Sequence, residues 1–283
     1  MKPLCQRGAV SCGACCGLYN RRDLSRPALH AVLTRRTAVL SSVPRTAEAF
    51  RAAAARLQAE DGAPLFPSVR LCPLLGYLDE GATRVGCLAH PLATGGVDLR
   101  DCGAYDIHTC ETFFCPSHSW LSEEEASLAV AACAGDPYLY GLVITDVPFL
   151  RAALDGVASL TGARVELRHL ADPGFQRALA RLLALKEELA PGSDGLFGAF
   201  RAGPDGEPVP RAIDYAALGR CASSPYDSVL TCVGADPRSG NDLDALEDQV
   251  RRRLESCAEA WPHPHDGACQ RTSPPEPARP CRG

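Results

Sequence analysis

The stretch Cys12-Gly13-Ala14-Cys15-Cys16-Gly17 decides how this chain is read. A Cys-x-x-Cys pair offers two thiolates in one compact bite, an arrangement suited to a soft metal. The glycines beside it let the backbone reach positive φ and turn amides toward sulfur, where they stabilise thiolate charge. Cys15 and Cys16 are adjacent. Adjacent side chains diverge by about 100° on a helix and point to opposite faces of a strand. Either the two thiolates serve two metal atoms, or one is a ligand and the other stands behind it or free. Cys12 with Cys15, or Cys12 with Cys16, are the pairs that share a face.

Working outward, the chain holds 15 cysteines in 283 residues. Cys5, Cys12, Cys15 and Cys16 come first, then Cys72, Cys87, Cys102, Cys110 and Cys115, with no repeat period. Cys133 stands apart, and Cys221, Cys232, Cys257, Cys269 and Cys281 follow. A secreted disulfide scaffold calls for an export signal and usually an even cysteine count. Here the count is odd, and Met1-Lys2-Pro3-Leu4-Cys5-Gln6-Arg7 has no apolar stretch of signal-peptide length. The expectation is therefore a cytoplasmic protein whose clustered cysteines act in part as thiolate ligands. A disulfide-linked extracellular protein is the alternative.

The spaces between the cysteines predict helices. Pro27 is placed to open one over 28–40, and a second is expected over 46–60, ended by Asp61-Gly62-Ala63-Pro64. Such a hairpin would bring the two cysteine groups together. Segment 64–119 is punctuated by Gly, Pro and Cys and reads as loops and short strands that need an external staple. Ser122-Glu123-Glu124-Glu125 is a capping box opening a helix to about Cys133. Further helices are expected from Asp136-Pro137, interrupted near Pro148 and resumed to about Val157, from Asp172-Pro173 to Leu189, and over 242–260. A short strand is expected over 164–170, a connector over 191–210, and a disordered tail over 272–283. The fold class is mainly α with small β content and an irregular, metal-stapled, cysteine-rich N-terminal domain. The expected units are 1–119, a helical region 120–200 that also offers a partner surface, and 201–283.

Ser11-Cys12-Gly13-Ala14-Cys15-Cys16, Cys72-Pro73-Leu74-Leu75, Gly86-Cys87 and Arg100-Asp101-Cys102 together carry a resemblance. Over roughly residues 5–116 the chain resembles the YkgJ-type cysteine-cluster family of zinc- or iron-chelating proteins. That family's pattern is Cys-x-x-Cys-Gly-x-Cys-Cys, then Cys-Pro and two apolar residues, then Cys-x-Ile-Tyr-x-x-Arg-Pro-x-x-Cys-Arg. The matching positions are Cys12, Cys15, Cys16, Cys72, Cys87 and Cys102, with Cys110 and Cys115 as further members. Two departures stand out: Ala9 occupies the place of the family's first cysteine, and Leu88-Ala89-His90-Pro91 with a longer loop replaces the Ile-Tyr segment. Cys5, seven residues before Cys12, is the substitute at hand. The resemblance implies metal ligation by these eight thiolates, the cofactor being zinc or an iron–sulfur cluster. A closed zinc site would contribute about 10–16 kcal/mol to folding a loop-rich segment, whereas a cluster could also carry an electron. Relatives of the family include flagellin lysine N-methylases, so the second hypothesis is a cluster-dependent enzyme that modifies protein side chains.

His90, His108 and His118 lie among the cysteines and read as surface or supporting groups. Trp261-Pro262-His263-Pro264-His265-Asp266, near Cys257 and Cys269, is a weaker candidate for a second site. Arg251-Arg252-Arg253 reads as a solvated helix face. With a net charge of −5 the chain has no electrostatic footprint for nucleic acid. Its longest apolar runs fall short of the ~20 residues that span a membrane. The dinucleotide, Walker, zincin and serine-hydrolase motifs are all missing.

Overall fold

The computed structural model describes residues 3–8, 10–189 and 198–262. These are 52% helix and 5% strand, so the chain is mainly α with two small sheets. Cys269, Cys281, His263, His265 and the 272–283 tail lie outside the described residues.

After a 3-10 turn at Leu4–Gln6 and the cysteine loop, helices α1 (Arg26–Ser41) and α2 (Ala47–Asp61) form the expected hairpin. Ser25 and Thr46 cap them by accepting from the amides of Ala28 and Ala49. The hairpin closes on a carboxylate. Asp61 has a fully buried side chain and pairs with Arg21, Arg35 and the buried Arg36. Strands β1 (Leu75–Tyr77) and β2 (Val85–Cys87) pair antiparallel, with Leu75 opposite Cys87. Three short helices follow: α3 (Pro91–Thr94), α4 (Ile107–Thr112) and α5 (Ser117–Trp120).

The rest is helical. Helices α6 (Glu123–Ala132), α7 (Pro137–Ile144), α8 (Val147–Thr161), α9 (Pro173–Leu183) and α10 (Leu185–Glu188) precede a hairpin of β3 (Phe200–Ala202) and β4 (Pro208–Pro210). Then come α11 (Asp227–Cys232) and α12 (Gly240–Glu259). Both arms of the capping box form: the Glu125 amide donates to Ser122 Oγ, and the Ser122 amide donates to Glu125 Oε2. Asp136, Asp146 and Asp172 cap α7, α8 and α9, each with a proline in the first turn. The expected strand over 164–170 is instead a 3-10 turn, Leu167–Ala171. The His169 ring explains it, because its Nδ1 accepts the Glu166 amide at 3.0 Å and curls the chain back on itself.

Two apolar cores result. The larger draws on both sides of position 120, joining Leu18, Tyr19, Leu29 and Leu33 to α6–α9 and α12. Gly141 is required there. A methyl at this position would meet Tyr19 Oη at 1.9 Å, and that hydroxyl donates to the carbonyls of Pro137 and Tyr138. The smaller core holds Leu40, Phe50, Leu57, Leu74, Leu88 and Leu99, with Cys72 and Cys102. No helix among the described residues is long and apolar enough to cross a membrane. Arg251, Arg252 and Arg253 pair with Asp248, Glu255 and Glu188 on a helix face.

One acid-sensitive contact sits at the start of α6. Arg151 donates to the Glu125 carboxylate and, with the Ser122 amide, lowers its pKa to about 2. A carboxylate with a depressed folded pKa adds stability above the ordinary glutamate value near 4.3, and that stability fades as pH falls toward 2. Arg151 is half exposed, so Glu125→Gln is expected to cost about 1 kcal/mol or less at neutral pH. The variant should also flatten the acid limb of stability between about pH 4.5 and 2. Urea titrations at several pH values read both effects.

Candidate metal centre

The cysteine loop is a run of tight turns. The Cys16 amide donates to the Gly13 carbonyl at 3.1 Å, Gly17 to Ala14 at 2.8 Å, and Asn20 to Gly17 at 3.0 Å. Gly17 has φ +80°, and a Cβ there would lie 2.3 Å from the Arg70 carbonyl oxygen, so only glycine lets segment 70–72 approach. Asn20 laces the two together. Its side chain donates to the Phe66 and Val69 carbonyls and accepts the Phe66 amide at 2.7 Å. The Cys72 amide then donates to the Cys16 carbonyl at 2.9 Å.

Other bonds deliver the remaining cysteines. The Cys12 amide donates to the Cys5 carbonyl at 3.0 Å. Ser11 Oγ accepts the Val85 amide and Gln6 Nε2 donates to the Val85 carbonyl, which fixes β2 beside the loop. The Leu88 amide donates to Leu74, setting Cys87 near Cys72. Arg70 donates to the Ala104 carbonyl, and its amide to Tyr105 Oη, drawing in the segment that leads to Cys110. Arg100 is buried and pairs with Asp98 and Glu111.

The sulfurs feel one another. Burial, followed by repulsion from Cys72, Cys87 and Cys110, pushes the Cys16 thiol well up. Cys87 is pushed to about 12 by burial and Cys72, against the pull of the Ala89 amide and Arg100. Cys110 is raised by burial and Cys72. Cys12 is pushed to about 12 by burial, with Cys5 and Cys115 adding, while the Ala14 amide at 3.4 Å opposes. Cys5 is raised by burial and Cys115. Cys15 and Cys115 share a hydrogen bond, which raises Cys15 and lowers Cys115 to about 6. The amides of His118 and Ser117 also face the Cys115 sulfur.

Seven of the eight cysteines singled out by sequence gather in this way; Cys102 does not. Its thiol donates to the Ala47 carbonyl at 3.5 Å, and Arg51 and Asp101 are its charged neighbours. Cys5 takes part instead. The signal for it was present in the sequence, as the cysteine that substitutes for the family's first, but the long spacing to Cys12 hid the backbone bond that joins them. His90 caps α3 through Nδ1, and His108 is exposed. Buried His118 Nε2 has no hydrogen-bond partner among the described residues, and the ring borders a cavity of about 310 Å³ with Leu4, Arg7 and Glu123. Cys133, Cys232 and Cys257 are buried thiols raised chiefly by burial, and Asp146 adds to the rise at Cys232.

All cysteines among the described residues are free thiols. As they stand, no three His, Cys, Asp or Glu side chains among the described residues form a group that could hold a metal ion. The donor set nonetheless suits a thiophilic metal: soft sulfurs, amides turned onto three of them, and a buried guanidinium beside two. No protein-family model, curated protein or solved structure matches the chain. The family resemblance rests on the motif residues alone.

Proposed function

We propose that the protein binds zinc or an iron–sulfur cluster through clustered thiolates, as a cytoplasmic, cysteine-cluster protein of the YkgJ type that contacts neither nucleic acid nor membrane. The observation that carries the reading is the convergence of Cys5, Cys12, Cys15, Cys16, Cys72, Cys87, Cys110 and Cys115, drawn from over a hundred positions into mutual electrostatic reach. Thiols that repel one another as anions gain most from a cation that neutralises them together. Rotation about one Cα–Cβ bond moves a sulfur by about 3 Å, so closing on a metal asks for new rotamers while the backbone anchors stay in place. The metal would supply either a closed structural cross-link or a redox centre. Cys102, turned to Ala47, is not among the ligands.

Anaerobic purification with elemental analysis and a visible spectrum tests this. Colourless protein with stoichiometric zinc, or brown protein with iron and sulfide, is the expected result. Reduced protein that retains neither metal and takes up neither on reconstitution would overturn the reading.

A further inference from the structure

We propose that the cavity at the head of α6 binds a small carboxylate with an apolar body, and that Glu123 is a built-in competitor for that ligand. The proposal makes no use of the thiols or of a metal. The cavity measures about 310 Å³, at the small end of the range that takes organic ligands. Leu4, Leu121 and Ala126 give it an apolar wall, and Arg7, His118 and Ser122 give it a polar one.

Arg7 already grips a carboxylate here. Its Nη1 donates to Glu123 Oε2 at 3.2 Å and its Nη2 to Glu123 Oε1, the two-pronged match of a guanidinium to a planar carboxylate. Nη2 also donates to Ser127 Oγ at 3.1 Å. The two charged partners differ in setting. The Arg7 side chain is 16% exposed, whereas that of Glu123 is 72% exposed. A pair with one arm in water contributes little, so a ligand carboxylate that also brings apolar surface into the cavity displaces this arm. The His118 ring supplies a second polar group. Its Nε2 is buried without a hydrogen-bond partner among the described residues, and Phe114 packs on the ring at 4.7 Å between centroids. An unpaired buried nitrogen gains more from a ligand oxygen than a paired one does. The positive end of the α6 dipole lies at the same wall, since Ser122 caps the helix and Glu123 is its first residue. Of the other carboxylates at this end, Glu125 is bound by Arg151 and Glu124 is exposed. A cation entering the cavity would find only Glu123 on its lining, already held by Arg7.

Benzoate is the probe and benzylamine its cationic counterpart, each titrated into the full-length protein by saturation-transfer NMR. One saturable benzoate site is expected, and no saturable benzylamine site. Glu123→Gln should tighten benzoate binding about two- to fivefold, the release that a weak exposed pair allows. Glu124→Gln, one residue along, should leave it unchanged. Arg7→Lys keeps the charge but loses the fork, and should weaken binding about tenfold or more. His118→Phe keeps the ring against Phe114 and should weaken it severalfold. Circular dichroism checks that each variant is folded. Benzylamine binding in place of benzoate would overturn the proposal, as would looser benzoate binding in Glu123→Gln or equal tightening in Glu124→Gln. Absence of a saturable benzoate site in both the parent and Glu123→Gln would overturn it without touching the metal-binding reading.

Discussion

If the clustered thiolates hold a metal, its chelation is expected to unfold the segment from β1 to α5. The β1–β2 hairpin has three-residue strands, and a lone two-stranded sheet of that size is marginal in water. Helices α3, α4 and α5 run four to six residues each, far below the length that sustains a helix by itself. The smaller core offers few large side chains to hold them. A structural zinc is worth about 10–16 kcal/mol, as much as the whole stability of a typical domain. Hydrogen exchange of the amides of Tyr77, Cys87 and Cys102 should thus rise by several orders of magnitude once metal is removed, and fall again on reconstitution. Equal protection with and without metal would show that the thiols do not staple this region.

The second large effect needs no metal. Asp146 and Lys186 are both buried, each side chain about 2% exposed, and they pair with one another. Lys186 also donates to the Cys232 carbonyl, and Asp146 accepts the Phe149 amide as the cap of α8. One carboxylate thus ties α8 to α10, and its partner ties α10 to α11. Asp146→Ala strands a buried ammonium and removes a cap, so a loss of about 3–5 kcal/mol is expected. The double variant Asp146→Asn, Lys186→Met should recover most of it, because replacing both charges of a buried pair is often neutral. Urea denaturation of the three proteins is the measurement. A single variant within about 1 kcal/mol of the parent would mean that water reaches the pair.

Local chemistry was legible where a few neighbouring residues decide the outcome. Pro27, Thr46, the Ser122 box and the Asp-Pro pairs at 136 and 172 mark helix starts because caps act over three or four residues. Pro148 looked like an interruption and is instead the first turn of α8, two residues after its Asp146 cap. The candidate site was legible as a set of cysteines but not as an arrangement. Whether Cys102 or Cys5 faces the others depends on bonds such as Cys102–Ala47 and Cys12–Cys5, which no periodicity reveals. Cys15 and Cys16 were legible as a vicinal pair but not with their neighbours, since Cys115 for the one and Cys72, Cys87 and Cys110 for the other lie 56 to 100 positions away.

Tyr19 sits three residues beyond the vicinal cysteines, its ring wedged over Gly141 and its hydroxyl spent on two carbonyls of α7. The address of the cysteine loop is therefore written from the middle of the chain, some 120 positions away. A fragment cut at residue 119 would keep every clustered sulfur yet leave that phenol, with Leu18, Leu29 and Leu33, facing water. The sulfur-bearing turn and the helical layer behind it thus share one apolar core.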